Sequence, residues 1–259
     1  MGHLFPTGLP KTHRWKQVIQ TIEKGGSVDD IAEASAIAAE NALSKVPADG
    51  GFVLALTNIF KFIEAAQSKD FEKGLESNGF SVGFDGSVFD IVSGLRAKID
   101  SDIVENKAPT HLAEIAQNSF SENLIKYVSI NSPTLFRSTT ADLHQSIREQ
   151  LSKGSLKGMM HEFFTTFTTR YLSYYLSREL PNHIGPGRRF NNIGQHGEFG
   201  EAFNLYIRQT VRIAEEFTPG WFGKAKYEKR LEPEAVARYS HVAFEKIISE
   251  FRRGAKPDG

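Results

Sequence analysis

Few residues in this sequence stand at spacings that could do chemistry, and the surroundings of each motif decide its reading. Gly79-Phe80-Ser81-Val82-Gly83 has the G-x-S-x-G spacing of a nucleophile elbow, where a strand turns into a helix and presents a serine above a sheet. The residues before it carry helical periodicity and no strand–helix alternation surrounds it, so the match reads as a glycine-rich turn. His161-Glu162 opens like a zinc-binding helix, but Thr165 stands one turn on, where a second histidine is needed. His161 is instead expected at the edge of an aromatic core, hydrogen-bonded and structural. His111 and Glu114 share a helix face, yet di-iron bundles use Glu-x-x-His, twice, and here the order is reversed with no second copy. Cysteine is absent, which removes disulfides, thiolate nucleophiles and cysteine zinc sites. No catalytic residue is singled out, and neither a metal nor a cofactor is expected.

The most informative segment runs from Arg170 to Trp221. Arg170 and Arg178 decorate a helix whose other face is aromatic, and Arg208 and Arg212 lie on the helix that follows the loop. Between them the chain reads Pro181-Asn182-His183-Ile184-Gly185-Pro186-Gly187-Arg188-Arg189-Phe190, then Asn191, Asn192, Gln195 and His196. Glycine permits unusual backbone angles, arginine pairs grip carboxylate or phosphate in two-pronged fashion, and a helix start adds free amides. Two readings stand open. One is an anion or nucleotide-phosphate contact, or a docking loop for a partner. The other is a structural clamp in which the arginines pair with Glu179, Glu198, Glu201, Glu215 and Glu216 across two antiparallel helices. Plentiful acids and the lack of a phosphate-loop fingerprint favour the clamp. Beyond the loop, Trp221 and Phe222 in the segment Thr218–Lys224 read as a turn that plugs the core, in preference to an exposed sticky contact.

The elements that must position these residues are helical almost throughout. Trp15, Val18, Ile19 and Ile22 form one stripe that stops at Gly25-Gly26, and Ser27 caps the next helix. Further helices are expected from Gly51, around Phe71–Leu75, after a Ser87 cap, and over about 110–128 and 139–151. The longest amphipathic stretch runs from Leu156 to Leu180, closed by Pro181, with Phe163, Phe167, Tyr171 and Leu172 on its buried face. A second long helix is expected to reach about Phe217, and a last one to span about Pro233–Phe251. The predicted fold is all-α: an irregular multi-helix bundle of about nine or ten helices, without significant sheet. One domain over 1–259 is expected, with a weaker subdivision into 1–105 and 110–259 at the Glu105–Pro109 stretch.

Composition bounds the partners. The 259 residues are 40% hydrophobic, and 31 basic side chains balance 31 acidic ones, so no whole-molecule field draws in nucleic acid or anionic lipid. No run approaches the roughly 18 apolar residues of a spanning helix. Met1–Pro6 lacks the pattern of a secretory signal, and Pro6 replaces the Ser or Thr of a myristoylation signal. A cytoplasmic location without membrane contact is expected, with the tail 254–259 frayed.

Phe163-Phe164, Arg170-Tyr171-Leu172, Leu176 to Leu180, His183 to Phe190 and Phe217 to Trp221, together with Trp15, resemble the C-terminal half of an uncharacterised family of bacterial all-helical proteins. The close likeness covers about a quarter of the chain. Such proteins are often encoded beside ATPases or nucleases in multi-gene operons, including antiphage systems. The resemblance implies a non-enzymatic component that acts through protein partners or self-association. The alternative is an enzyme or sensor that binds a phosphorylated small molecule or nucleic-acid end at the Arg170–Arg212 cluster.

Overall fold

Helix starts in this chain are fixed by short polar side chains that satisfy the first free amides. Ser27 Oγ accepts from the Asp30 amide at 3.1 Å while the Asp30 carboxylate accepts from the Ser27 amide at 2.9 Å, a closed capping box. Asp49, Asp70, Ser87 and Asn192 cap four further helices, each side chain accepting from the amide three residues on. The computed structural model describes residues 13–81, 87–131, 140–152 and 154–253. Among them the helices are α1 (His13–Glu23), α2 (Val28–Leu43), α3 (Gly50–Ala66), α4 (Phe71–Ser77), α5 (Val88–Glu105) and α6 (His111–Asn131). They continue as α7 (Thr140–Gln150), α8 (Leu156–Leu176), α9 (Ile193–Thr210), α10 (Ile213–Tyr227) and α11 (Pro233–Arg253). The fold is all-α; the described residues form no sheet, only a lone bridge between Ile184 and Phe190. Met1–Pro6, Val82 and Gly83 of the G-x-S-x-G match, and the tail 254–259 lie outside the described residues.

Eleven α-helices exceed the expected nine or ten, and the reason is local. The long helix expected to reach Phe217 ends at Thr210, and α10 begins three residues later. It then runs straight through Thr218–Lys224, which the sequence suggests is a turn, with Pro219 inside. Proline within a helix costs about 3 kcal/mol through its lost donor and its clash. Packing offsets this: Phe222 stacks on Phe60 at 5.6 Å and Trp221 on Tyr239 at 4.3 Å. At the other boundary α8 stops at Leu176, four residues short of Leu180, and a 3-10 turn over Leu180–His183 takes up Pro181. A residue preceding proline resists the α conformation, which unwinds the helix early.

Contacts divide the chain into two compact units, and boundaries fall inside α8, α10 and α11 as well as between Lys45 and Val46. The first unit comprises Met1–Lys45, Phe164–Ala214 and Ala243–Gly259; the second comprises Val46–Phe163 and Glu215–Val242 and contains the Glu105–Pro109 stretch. In the first unit α1 and α2 form a helical hairpin, and α2 packs on α9. Gly26 at the hairpin turn cannot carry a side chain: a Cβ there would lie 2.6 Å from Thr21 Cγ2 and 2.9 Å from its carbonyl. Phe164 and Phe167 present edges to Phe244 at 5.9 and 5.7 Å. In the second unit α3 is the central helix, packed against α4, α5, α6 and α7. Its Phe62 meets Phe71, Phe80 and Phe120 edge-on, a core of interlocked rings.

Candidate functional site

The arginine-rich loop of the first unit is a closed structure. Gly185 (φ +136°) and Gly187 (φ +73°) occupy backbone regions that side chains disfavour, and they fold the chain back on itself. The Gly185 amide donates to the Phe190 carbonyl at 2.8 Å, and the Phe190 amide to the His183 carbonyl at 3.0 Å. Phe190 is buried as the loop's anchor, with His196 and Phe199 packed on it at 5.5 and 5.4 Å. Helix α9 then starts from Asn192, whose side chain accepts from the Gln195 amide at 3.0 Å while Gln195 Oε1 accepts from the Asn191 amide at 2.8 Å. These reciprocal caps occupy amides that an anion would otherwise use.

The predicted site residues separate into distinct roles. Arg188 is exposed and donates to the Asn182 carbonyl within the loop. Arg189 is half-buried and reaches back to the hairpin turn, where Nη2 donates to the Gly26 carbonyl at 2.9 Å; its Nε is buried without a hydrogen-bond partner. Both arginines therefore bind backbone carbonyls, not the carboxylates of the expected clamp. His183 takes the acid instead, with Nε2 3.0 Å from Glu179 Oε1. Arg178 is exposed just beyond the end of α8, with its guanidinium 4.7 Å above the Tyr174 ring, and Arg170 is half-buried on α8 itself. Arg208 and Arg212 are exposed, at the end of α9 and just beyond it. Trp221 belongs to the second unit, its ring 5.0 Å from Phe60, which is a core-plugging position.

Replacing Arg189 with Ala is expected to lower stability by about 1–2 kcal/mol, since a hydrogen bond from a charged donor is lost. Arg188→Ala should change it by less than about 0.5 kcal/mol, as exposed positions do. Urea denaturation of the two single variants checks this; equal losses would show that Arg188 also holds the fold.

Two histidines of the second unit stand beside carboxylates. His161 is buried, with Nδ1 3.0 Å from Glu215 Oε2, while Lys157 Nζ stands 3.3 Å from the other oxygen. His144 lines an open cleft of about 790 Å3 beside Asp70, Glu72, Arg148 and Glu149. Its ring stands edge-on to Phe71 at 4.8 Å, and Nδ1 is 3.8 Å from Glu72 Oε1. Burial lowers the His144 pKa below its ordinary 6.5, and the Glu72 charge only partly restores it. The unfolded chain then takes up this proton first, so its contribution is full above pH 6.5 and is lost as pH falls through the folded value. His144→Leu should therefore shrink the fall in Tm between about pH 7.5 and pH 5.5. An unchanged fall would remove His144 from the acid sensitivity.

Among the described residues no three His, Asp or Glu side chains converge on a metal position. No single helix there is long and apolar enough to cross a membrane. Compared with protein-family models, curated proteins and solved structures, the chain matches none.

Proposed function

We propose that this protein is a non-enzymatic, cytoplasmic helical component of a bacterial multi-protein system, of the antiphage kind that the resemblance suggests, acting through protein–protein contacts. The observation that carries the reading is the outer face of α9. Ile193 and Leu205 are 78% and 56% exposed there, and Gly197 and Gly200 lie on the exposed side, where an added Cβ would meet nothing within 4 Å. Mid-helix glycines cost roughly 0.5–1 kcal/mol each relative to alanine, and no packing within this chain requires these two. A partner backbone that approaches closely would require them. The stapled loop, with Arg188 and Arg178 exposed, supplies a polar rim of the type that surrounds an apolar contact.

The second reading, an anion site in an enzyme or sensor, is favoured by the orphaned Nε of Arg189, a buried donor whose missing acceptor a carboxylate or phosphate would provide. The two readings predict opposite results. Gly197→Ala with Gly200→Ala is expected to raise stability by about 1–2 kcal/mol and abolish partner capture from the native host. Ile193→Asp with Leu205→Asp should abolish the same capture and leave the melt unchanged. Capture that survives both double variants but is lost with Arg189→Ala would overturn the α9 reading in favour of the anion site.

A further inference from the structure

The cleft that His144 lines lies between the start of α4 and one face of α7, all within the second unit. Its volume of about 790 Å3 is in the range of small-molecule sites, and most of its lining is polar. Asp70 is committed to the fold: its carboxylate accepts from the Lys73 amide at 3.1 Å and pairs with Lys73 Nζ at 3.3 Å. Glu149 is half committed, with Oε1 accepting from Gln145 Nε2 at 3.0 Å. Glu72 stands 3.8 Å from the His144 ring, which burial keeps neutral at pH 7, so that carboxylate is not neutralised there. On the basic side, Lys69 makes no ion pair among the described residues. The Arg148 guanidinium makes one bond among them, from Nη1 to the Lys69 carbonyl at 3.4 Å. Arg148 therefore stands by Lys69, and Glu72 stands by His144, one turn earlier on α7. Positions four apart on a helix lie roughly 5–6 Å from each other, which sets the spacing of the two poles. The chain's own bonds do not join them.

We infer that this cleft binds a small zwitterion, a free polar α-amino acid, with its carboxylate on Arg148 and Lys69 and its ammonium on Glu72. Charge balance selects the class. Lys69 and Arg148 oppose Glu72 and Glu149, so a ligand with no net charge and separated ends gains at both poles. A simple anion or cation gains at one pole and is repelled at the other. The guanidinium fork matches a carboxylate in two-pronged fashion, and an ammonium's three donors can meet Glu72 together with the second Glu149 oxygen. Phe71 is 3% exposed and offers a ligand no apolar bed, which favours a polar side chain over a greasy one. The inference rests on residues of the second unit alone and does not depend on the α9 reading.

The test titrates the full chain calorimetrically with L-glutamine, beside N-acetyl-L-glutamine and L-glutaminamide, each of which lacks one pole. Glutamine should bind saturably at one site. Each control should bind at least about tenfold more weakly, the loss expected for one charged hydrogen bond. Arg148→Gln and Glu72→Gln should weaken glutamine binding by a similar factor and leave the melt unchanged, since both side chains are exposed. Arg148→Gln should also abolish the preference for glutamine over its amide, which a merely loosened fold would not do. Glutamine that fails to bind saturably would overturn the proposal. So would controls that bind as tightly as glutamine, or glutamine binding that both variants leave unchanged.

Discussion

Replacing Phe167 with Ala is expected to remove about 3–5 kcal/mol of stability, the largest loss foreseen for any single change discussed. The ring is fully buried on α8 in the first unit, stacked against Tyr171 at 6.3 Å and 2° and edge-on to Phe244 at 5.7 Å. Tyr171 is itself mostly buried, and burial drives its hydroxyl pKa well above the ordinary tyrosine range. Deleting the Phe167 ring forfeits the transfer energy of its carbons and leaves a void that the interlocked neighbours cannot fill. Native stability is typically about 5–15 kcal/mol, so the variant should stand close to the folding threshold. A melting temperature lower by roughly 8–15 °C is the expected reading for a chain of this length. Phe167→Leu keeps much of the volume and should lose no more than about 1.5 kcal/mol. An Ala variant that melts like the parent would show an open face there, and a groove would replace the core.

How much of this was legible in the sequence depends on distance along the chain. The caps at Ser27 and Ser87 and the aromatic stripe of α8 are local patterns, readable because the partner lies three or four residues away. Arg189 was legible as a candidate but its role was not. Its acceptor is the carbonyl of Gly26, 163 residues earlier, and any backbone carbonyl looks the same in a sequence. Acids flank the loop, so a carboxylate clamp is the natural expectation; Glu179 meets His183, and Glu215 meets Lys157 and His161. Helix α10 was misread for a related reason. Proline and two glycines in Thr218–Lys224 argue for a turn, and the stacking of Phe222 on Phe60, distant in sequence, and of Trp221 on Tyr239 reverses that preference. The units were equally hidden. Each unit gathers separated segments, and boundaries run through α8, α10 and α11, so no contiguous stretch of linker composition marks them.

Glu215→Ala is expected to cost about 2–3 kcal/mol, and the loss should fall almost wholly on the contact with His161. The Glu215 side chain is 13% exposed and both its oxygens are engaged, one by a lysine that is 49% exposed and one by a histidine that is 10% exposed. When the carboxylate goes, Lys157 recovers water and loses little, as surface ion pairs do. His161 has no such recourse, because its ring is buried 3.0 Å from the carboxylate and burial denies it solvent in exchange. The asymmetry is measurable by double-mutant cycles on the full chain. Coupling between Glu215 and His161 should exceed about 1.5 kcal/mol, and coupling between Glu215 and Lys157 should stay below about 0.5 kcal/mol. Glu215→Gln keeps an acceptor oxygen and should fall between the parent and Glu215→Ala. If the Lys157 coupling proved the larger, the network would be a solvated ion pair with the histidine merely adjacent. If both couplings vanished, the buried contact would contribute nothing to the stability of α10.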